Sequence, residues 1–324
     1  MAKSPYRSRS IRRRKRSPKQ QIISLVIFVV IALAAYWLSQ NSNNPAPTYS
    51  ADQNEEGFYY YQSLDGDTYY SSTANLIGNA LKNELHDVIN TDKNLLTYAD
   101  VRQALEIIDR NVGDPNTLYG IYNGTIIPAS WDGGATWNRE HVWPNSRLGL
   151  ERVEDYQRNQ ATDLHNLRAS TVSINSSKSD RFFSEGSGLA TTTSDGGFYP
   201  GDDHRGDVAR ILFYMAVTYD FLVLTDDGLL DESNHYTLEG TKMGKLMLLL
   251  RWHKEDPVSS FERQRNQAIF DLQGNRNPFI DRPEYVHLIW ENQTIGDLAK
   301  PTNIIIDQAI LLQHERRGFT HDFL

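Results

Sequence analysis

Cysteine is absent from the 324 residues. That excludes a disulfide framework and any thiolate-ligated metal site, so stability must come from core packing or from a bound metal. Acidic residues are absent from residues 1–19, which hold nine of the 33 basic side chains: Lys3, Arg7, Arg9, Arg12, Arg13, Arg14, Lys15, Arg16 and Lys19. The remaining 24 basic residues face 41 acidic ones, so the formal net charge of −8 averages a basic tail and a body of charge −17. Large apolar side chains are nearly missing from residues 39–57, "SQNSNNPAPTYSADQNEEG", which reads as a flexible tether. No internal repeat is visible. With 39% apolar and 23% charged residues, the chain otherwise has an ordinary globular composition.

The run Ile22–Leu38, "IISLVIFVVIALAAYWL", has one weakly polar side chain, Ser24. As a helix it would span about 25 Å. Bases before it, with Tyr36 and Trp37 at its far end, fit a helix whose N-terminus is cytoplasmic. Two readings stay open for segment 21–38: a retained transmembrane anchor, or a signal cleaved near the small residues 32–34. In the anchored form the partner expected for the basic cytoplasmic tail, residues 1–20, is anionic lipid rather than nucleic acid.

The body is expected to form one α+β domain over 58–295, followed by a C-terminal extension, 296–324. The stretch "FYYYQSLDGDTYYSS" reads as strand or core. Ile77, Leu81, Leu85 and Val88 fall on one helical face. A second helix follows Thr97, with Asp100 placed to complete its cap, and "DPNTLYGIYNGTIIP" reads as a turn and strand. Helical patterns return at 207–219 and 241–252, and again from Ser259, where Ser259-x-x-Glu262 is a capping box, to Gly274. Between the helical parts, residues 131–205 are rich in Gly, Ser, Asn and Thr, a polar centre suited to chemistry. "GDDHRGD" (201–207) lacks the spacing of a calcium loop and reads as a turn leading into a helix. Asn275, Arg276 and Asn277 read as helix termination and packing rather than phosphate contacts.

Three short motifs, "WNREHVWPNS", "TDLHNLRAS" and "TVSINSSKSDRFF", concentrate polar residues between 137 and 181. Without cysteine a cation must be held by carboxylate, amide oxygen or imidazole. A glutamate with an asparagine suits Mg²⁺, which keeps several waters and accepts phosphate oxygens. Histidine can take a proton from water at neutral pH. Adjacent residues of a strand point opposite ways, so Glu140 and His141 can hold separate roles.

Together with "LKNELHDVI", "LTYADVRQAL", "GDVARILFYM" and "QGNRNPFIDRPEYVHLIW", these motifs resemble the bacterial endonuclease I family of secreted, non-specific nucleases over roughly residues 70–290. The resemblance implies a ββα-metal (His-Me finger) core flanked by helices and a largely sequence-non-specific, metal-dependent endonuclease. It would hydrolyse DNA or RNA outside the cytoplasm to 5′-phosphate and 3′-hydroxyl ends. It puts the general base on His141 and the metal ligands on Glu140 and Asn175, with Mg²⁺ as the ion and Mn²⁺ or Ca²⁺ as substitutes. Asp163, His165 and Asn166 are implied as supporting residues that orient their neighbours. The family's phosphate-binding arginine would be Arg147, Arg152 or Arg158, with Arg158 preferred. Arg139, Arg168, Lys178 and Arg181 are expected at the substrate. They belong to a basic groove, with Arg147, Arg205 and Arg210, on an otherwise acidic molecule. No obligate protein partner is inferred. Two other classes stay open: a zinc hydrolase using His141, Asp163 and His165, and a membrane-tethered, non-catalytic nucleic-acid receptor.

Overall fold

The computed structural model describes residues 50–53, 59–62, 68–227, 229 and 241–291. The segments 1–20, 21–38 and 296–324 lie outside the described residues, and so does the question of anchor or signal. Among the described residues no helix is long and apolar enough to cross a membrane.

Ser50–Gln53 (β1), at the end of the polar 39–57 stretch, pairs antiparallel with Tyr59–Gln62 (β2), so the tyrosine run supplies a strand. Helix α1, Gly78–Asn90, buries Leu81, Leu85 and Ile89 at four-residue spacing. Ile77, expected on that face, is its N-cap and is 43% exposed. Helix α2 spans Val101–Ile108. The Thr97 hydroxyl accepts a hydrogen bond from the Asp100 amide, so the expected cap contact forms just ahead of the helix. Thr117–Tyr119 (β3) and Ile126–Pro128 (β4) make a hairpin.

Trp137–His141 (β5) then pairs antiparallel with Leu167–Thr171 (β6), in a register that sets Glu140 opposite Arg168 and His141 opposite Leu167. The chain passes straight from β6 into helix α3, Val172–Lys178, through Thr171 in extended conformation. A short ladder joins Thr191–Thr192 (β7) to Phe198–Tyr199 (β8). After helix α4, Arg205–Thr218, Val223–Leu224 (β9) pairs parallel with Lys242–Met243 (β10). The remaining helices are α5 (Leu246–Glu255), α6 (Ser260–Gln273), α7 (Pro278–Asp281) and α8 (Tyr285–Trp290). The architecture is α+β, and among the described residues every sheet has two strands.

Helix α4 is the centre of the larger core, with every residue from Gly206 to Thr218 buried. Gly206 is required by close approach, since a Cβ there would sit 2.1 Å from the Asp256 carbonyl oxygen. Helix α6 begins at the expected Ser259–Glu262 capping box and ends at Gly274, whose φ of 87° suits glycine. The β5–β6 pair bridges two apolar clusters. Trp137, Leu167 and Ala169 join a small one with α2, while Val142 and Trp143, just past β5, join the large one around α4. The end of β5 is thereby held from both sides.

Residues 202–204 form the expected turn into α4. Asn275 donates to the Tyr214 hydroxyl at 2.7 Å, Asn277 caps α7, and Arg276 pairs with Asp281, all of them packing contacts.

His165 is buried and its pKa is pulled by burial to about 3, against an ordinary value near 6.5. Below that ordinary value the unfolded chain binds a proton that the folded chain refuses. The His165 contribution is therefore intact above about pH 6.5 and lost as pH falls. Glu262 and Glu284, raised by burial to about 7, act in the opposite sense over part of the same window. The comparison with His165→Asn isolates the histidine. The stability advantage of the wild type over this variant should shrink by about 1.4 kcal/mol per pH unit below pH 6. Denaturant melts at pH 7, 6 and 5 check this, and parallel curves for the two proteins would contradict it.

Candidate active site

Glu140 and His141 end strand β5 and both line one open cleft of about 670 Å³, which Asn175 also lines from helix α3. The three residues come from two elements that meet because β6 runs directly into α3.

Glu140 is only 2% exposed. Its Oε1 accepts a hydrogen bond from the Tyr122 hydroxyl at 2.8 Å, and Oε2 takes none from the described residues. Tyr122 is itself fully buried, on a backbone with φ of 74°, in the left-handed region that side chains other than glycine rarely occupy. Burial raises the Glu140 pKa to about 7, against the opposing pull of Lys178 and the Tyr122 hydrogen bond. A carboxylate so deeply placed, with one oxygen unused, has the character of a cation ligand.

His141 is half-buried, and its Nε2 lies 2.8 Å from the carbonyl oxygen of Ala161. A carbonyl only accepts, so Nε2 carries the hydrogen and Nδ1 keeps its lone pair for a proton from elsewhere. Ala161 sits in a single helical turn, Gln160–Thr162, closed by a reciprocal Asn159–Thr162 cap that fixes the carbonyl. The Tyr98 ring stacks on the imidazole at 5.6 Å, and the Arg139 guanidinium lies 3.4 Å from the Tyr98 ring centre. Burial lowers the His141 pKa to about 4, helped by Arg139, Lys178 and Arg152 and opposed by the Ala161 bond. The ring is neutral at pH 7.

Asp163, His165 and Asn166, expected as supporting residues, are buried and outside the lining of this cleft. Asn166 accepts from the Trp143 amide at 2.7 Å and donates to the Trp143 carbonyl at 3.0 Å, clamping the chain just after His141. Asp163 is buried and accepts from Gln273, Tyr214, Tyr219 and the His165 amide. Burial alone would raise its pKa, but Lys93, His165 and these hydrogen bonds outweigh it and hold the carboxyl below its usual range. The His165 ring packs 4.4 Å from Tyr214 and reaches the Asn275 carbonyl at 3.2 Å. His141, Asp163 and His165 therefore do not share a ligand set. Among the described residues no three His, Asp or Glu side chains form a metal-holding group.

The expected basic groove needs correction. Arg139 lines the cleft, but Arg168 is fully buried and pairs with Asp109 at 3.1 Å and Asp207 at 3.7 Å. Arg147 is buried too, donating to the Asp180 and Lys242 carbonyls. Arg210 pairs with Glu262, and Arg205 with Glu255. Lys178 is buried behind the cleft, 4.9 Å from the Phe183 ring, where it offsets the charge of Glu140. Arg181 donates to the Gly196 and Ser177 carbonyls, outside the cleft lining. Arg158 is exposed and lines neither the cleft nor its extension, whereas Arg152 lines both. Tyr122, Tyr98 and the Ala161 carbonyl, which contact Glu140 and His141, carried no signal in the sequence.

The family model for endonuclease I matches residues 77–284, well over half of the chain. The chain belongs to the endonuclease I family. This endonuclease I family member is 40% identical over 240 residues to the "Extracellular ribonuclease" of Bacillus amyloliquefaciens, covering 70% of this chain and 80% of the relative. It is 39% identical over 238 residues to the protein of the same description from Bacillus subtilis (strain 168), covering 70% and 79%. It is 27% identical over 167 residues to "Endonuclease-1" of Buchnera aphidicola subsp. Baizongia pistaciae, covering 44% and 60%. The endonuclease I family member is thus a nuclease acting on nucleic acid, and the non-catalytic receptor reading is set aside.

Proposed function

We propose that this nuclease hydrolyses the phosphodiester bonds of RNA and DNA outside the cytoplasm, with little regard to base sequence, through a ββα-metal site. The observation that carries the proposal is the convergence of Glu140, His141 and Asn175 on one cleft, with the His141 tautomer set by the Ala161 carbonyl. The relatives described as extracellular ribonucleases support both export and RNA as a substrate. The basic tail and apolar run of residues 1–38 support export as well.

Glu140, through Oε2, and Asn175, through its amide oxygen, would hold the ion, and these hard donors suit Mg²⁺, with Mn²⁺ or Ca²⁺ as substitutes. When bound, the ion supplies Lewis-acid stabilisation of the charge that develops on the phosphate and the departing oxygen. Nδ1 of His141 takes a proton from a water as the water oxygen attacks phosphorus. The bond from phosphorus to the 3′ oxygen breaks, and that oxygen takes up a proton from solvent. Imidazolium then releases its proton to bulk water. A substrate phosphate beside the ring raises its proton affinity from the low value of the free protein towards the working pH. Arg152, beside His141, contacts the phosphate in place of Arg158. Little of this involves base edges, so backbone shape and charge govern binding.

Digestion of end-labelled RNA and DNA with EDTA, Mg²⁺, Mn²⁺, Ca²⁺ or Zn²⁺ tests the reading. Cleavage should vanish with EDTA, return with Mg²⁺ better than with Zn²⁺, and leave 5′-phosphate ends on both polymers. Products ending in 2′,3′-cyclic phosphate would show the RNA's own hydroxyl to be the nucleophile and would overturn the mechanism.

A further inference from the structure

The catalytic cleft does not end at His141. It continues into a groove of about 600 Å³ that shares Arg139, His141, Arg152 and Asn175 with it and adds Tyr98, Arg102 and Trp131. This extension brings together the groups that hold a nucleotide without reading it: an aromatic face and paired guanidinium groups.

Trp131 is built as a platform. Among the described tryptophans, Trp137, Trp143 and Trp252 are buried, and Trp290 packs against Phe213 and Phe279. Trp131 instead lines the groove. Its ring stands edge-on to the buried Trp137 at 4.7 Å, and its amide donates to Glu106 at 3.1 Å, so both ring and backbone are fixed from the protein side. The guanidinium groups of Arg102 and Arg139 lie over its ring, 5.5 and 5.8 Å from the centre, so a base stacks there as they turn towards its phosphate.

Those two arginines are held by an anion that belongs to the chain. The Asp155 carboxylate, 57% exposed, reaches Arg102 through one oxygen at 2.5 Å and Arg139 through the other at 3.4 Å. Its segment stays in place without the carboxylate, because the amides of Ala99 and Tyr98 donate to the carbonyls of Asp155 and Gln157. A solvent-facing carboxylate bridging two arginines beside an aromatic ring occupies the place a nucleotide phosphate would take.

We infer that this groove is a subsite for one unpaired nucleotide flanking the scissile bond, with its base on Trp131 and its phosphate on Arg102 and Arg139 in place of Asp155. The inference rests on the proposed nuclease reading and adds a substrate preference to it. A base within a duplex is already stacked on both faces and cannot reach Trp131, so the subsite favours single strands.

The test uses the full chain and an oligonucleotide with one normal phosphodiester, its other linkages being phosphorothioate. It is offered single-stranded, as a duplex, and single-stranded with an abasic site on either side of the cleavable bond. Trp131→Ala should raise KM for the single strand about tenfold, with kcat and the duplex KM within about twofold of wild type. Trp131→Phe should recover most of the loss, and Asp155→Asn should lower the single-strand KM a few-fold. With wild type, an abasic site on one flank should raise KM by a factor similar to that of Trp131→Ala, and the variant should be indifferent to it. Equal losses on single strand and duplex, or a wild type indifferent to abasic sites on both flanks, would overturn the subsite. The wild-type comparison decides alone should Trp131→Ala fail to fold. Failure of the wild type to cut any of these substrates would instead sink the nuclease mechanism itself.

Discussion

His141→Ala should lower kcat/KM on RNA and DNA by about a thousandfold, the middle of the range for loss of a general base. The loss should fall on kcat, because in the proposed mechanism the side chain contributes a proton acceptor and not a grip on the substrate. The ring is half-buried and makes one hydrogen bond, to the Ala161 carbonyl, with Tyr98 stacked on it. Its removal leaves Glu140, Tyr122 and Asn175 where they are, and the melting temperature should move by only a few degrees. Added imidazole should restore part of the rate by entering the space left beside Tyr98. Steady-state kinetics with and without imidazole check this, and a loss below about tenfold would remove His141 from the role of base.

Arg168→Ala should act in the opposite way, costing about 3–5 kcal/mol of stability while leaving KM of the folded fraction unchanged. For a domain of this size that lowers the melting temperature by roughly 10 °C. Arg168 is the hub of a buried network. Asp109, which pairs with it, also accepts from Arg265 at 2.6 Å and from the Ala169 amide at 2.6 Å, while Asp207 lies between Arg168 and Arg210. Truncation would leave two carboxylates buried without their shared cation. Lysine would not replace it, since a single ammonium cannot meet both partners and the Tyr119 carbonyl, to which the guanidinium also donates. Thermal melts beside KM measurements separate the roles, and a raised KM with unchanged stability would return Arg168 to the substrate.

That contrast marks how far the sequence could be read. Local rules succeeded where the decisive atoms are neighbours in the chain. The Ser259–Glu262 cap, the stop at Gly274 and the turn into α4 all form as expected. The grouping of Glu140, His141 and Asn175 on one cleft is what the motif resemblance implies, and the same resemblance singles out Asn166, which holds the backbone of Trp143. Arg147, Arg168, Lys178 and Arg210 depart from the expected groove because nearness in sequence to the motifs is not nearness to the cleft. Strand β6 is buried at four of its five positions, so a charge on it must find an internal partner, and Arg168 does. Lys178 likewise turns inward from the last turn of α3. Of the expected cations, Arg139 on β5 and Arg152 in a loop do line the groove, and Arg102 on α2, which was not expected there, joins them. Trp131 and Tyr122 were illegible for the same reason. Their roles depend on a buried tryptophan and on a left-handed turn that only the folded chain brings to the site.

The most direct test of the central claim is a metal titration of activity in wild type, Glu140→Gln and His141→Ala. If an oxygen-bound divalent ion and a separate neutral imidazole share the work, Glu140→Gln should raise the half-saturating Mg²⁺ concentration by tenfold or more. His141→Ala should leave that concentration within about twofold while its rate collapses. A His141→Ala variant whose Mg²⁺ requirement rises with its loss of rate, or a Glu140→Gln variant that saturates like wild type, would contradict that division of labour.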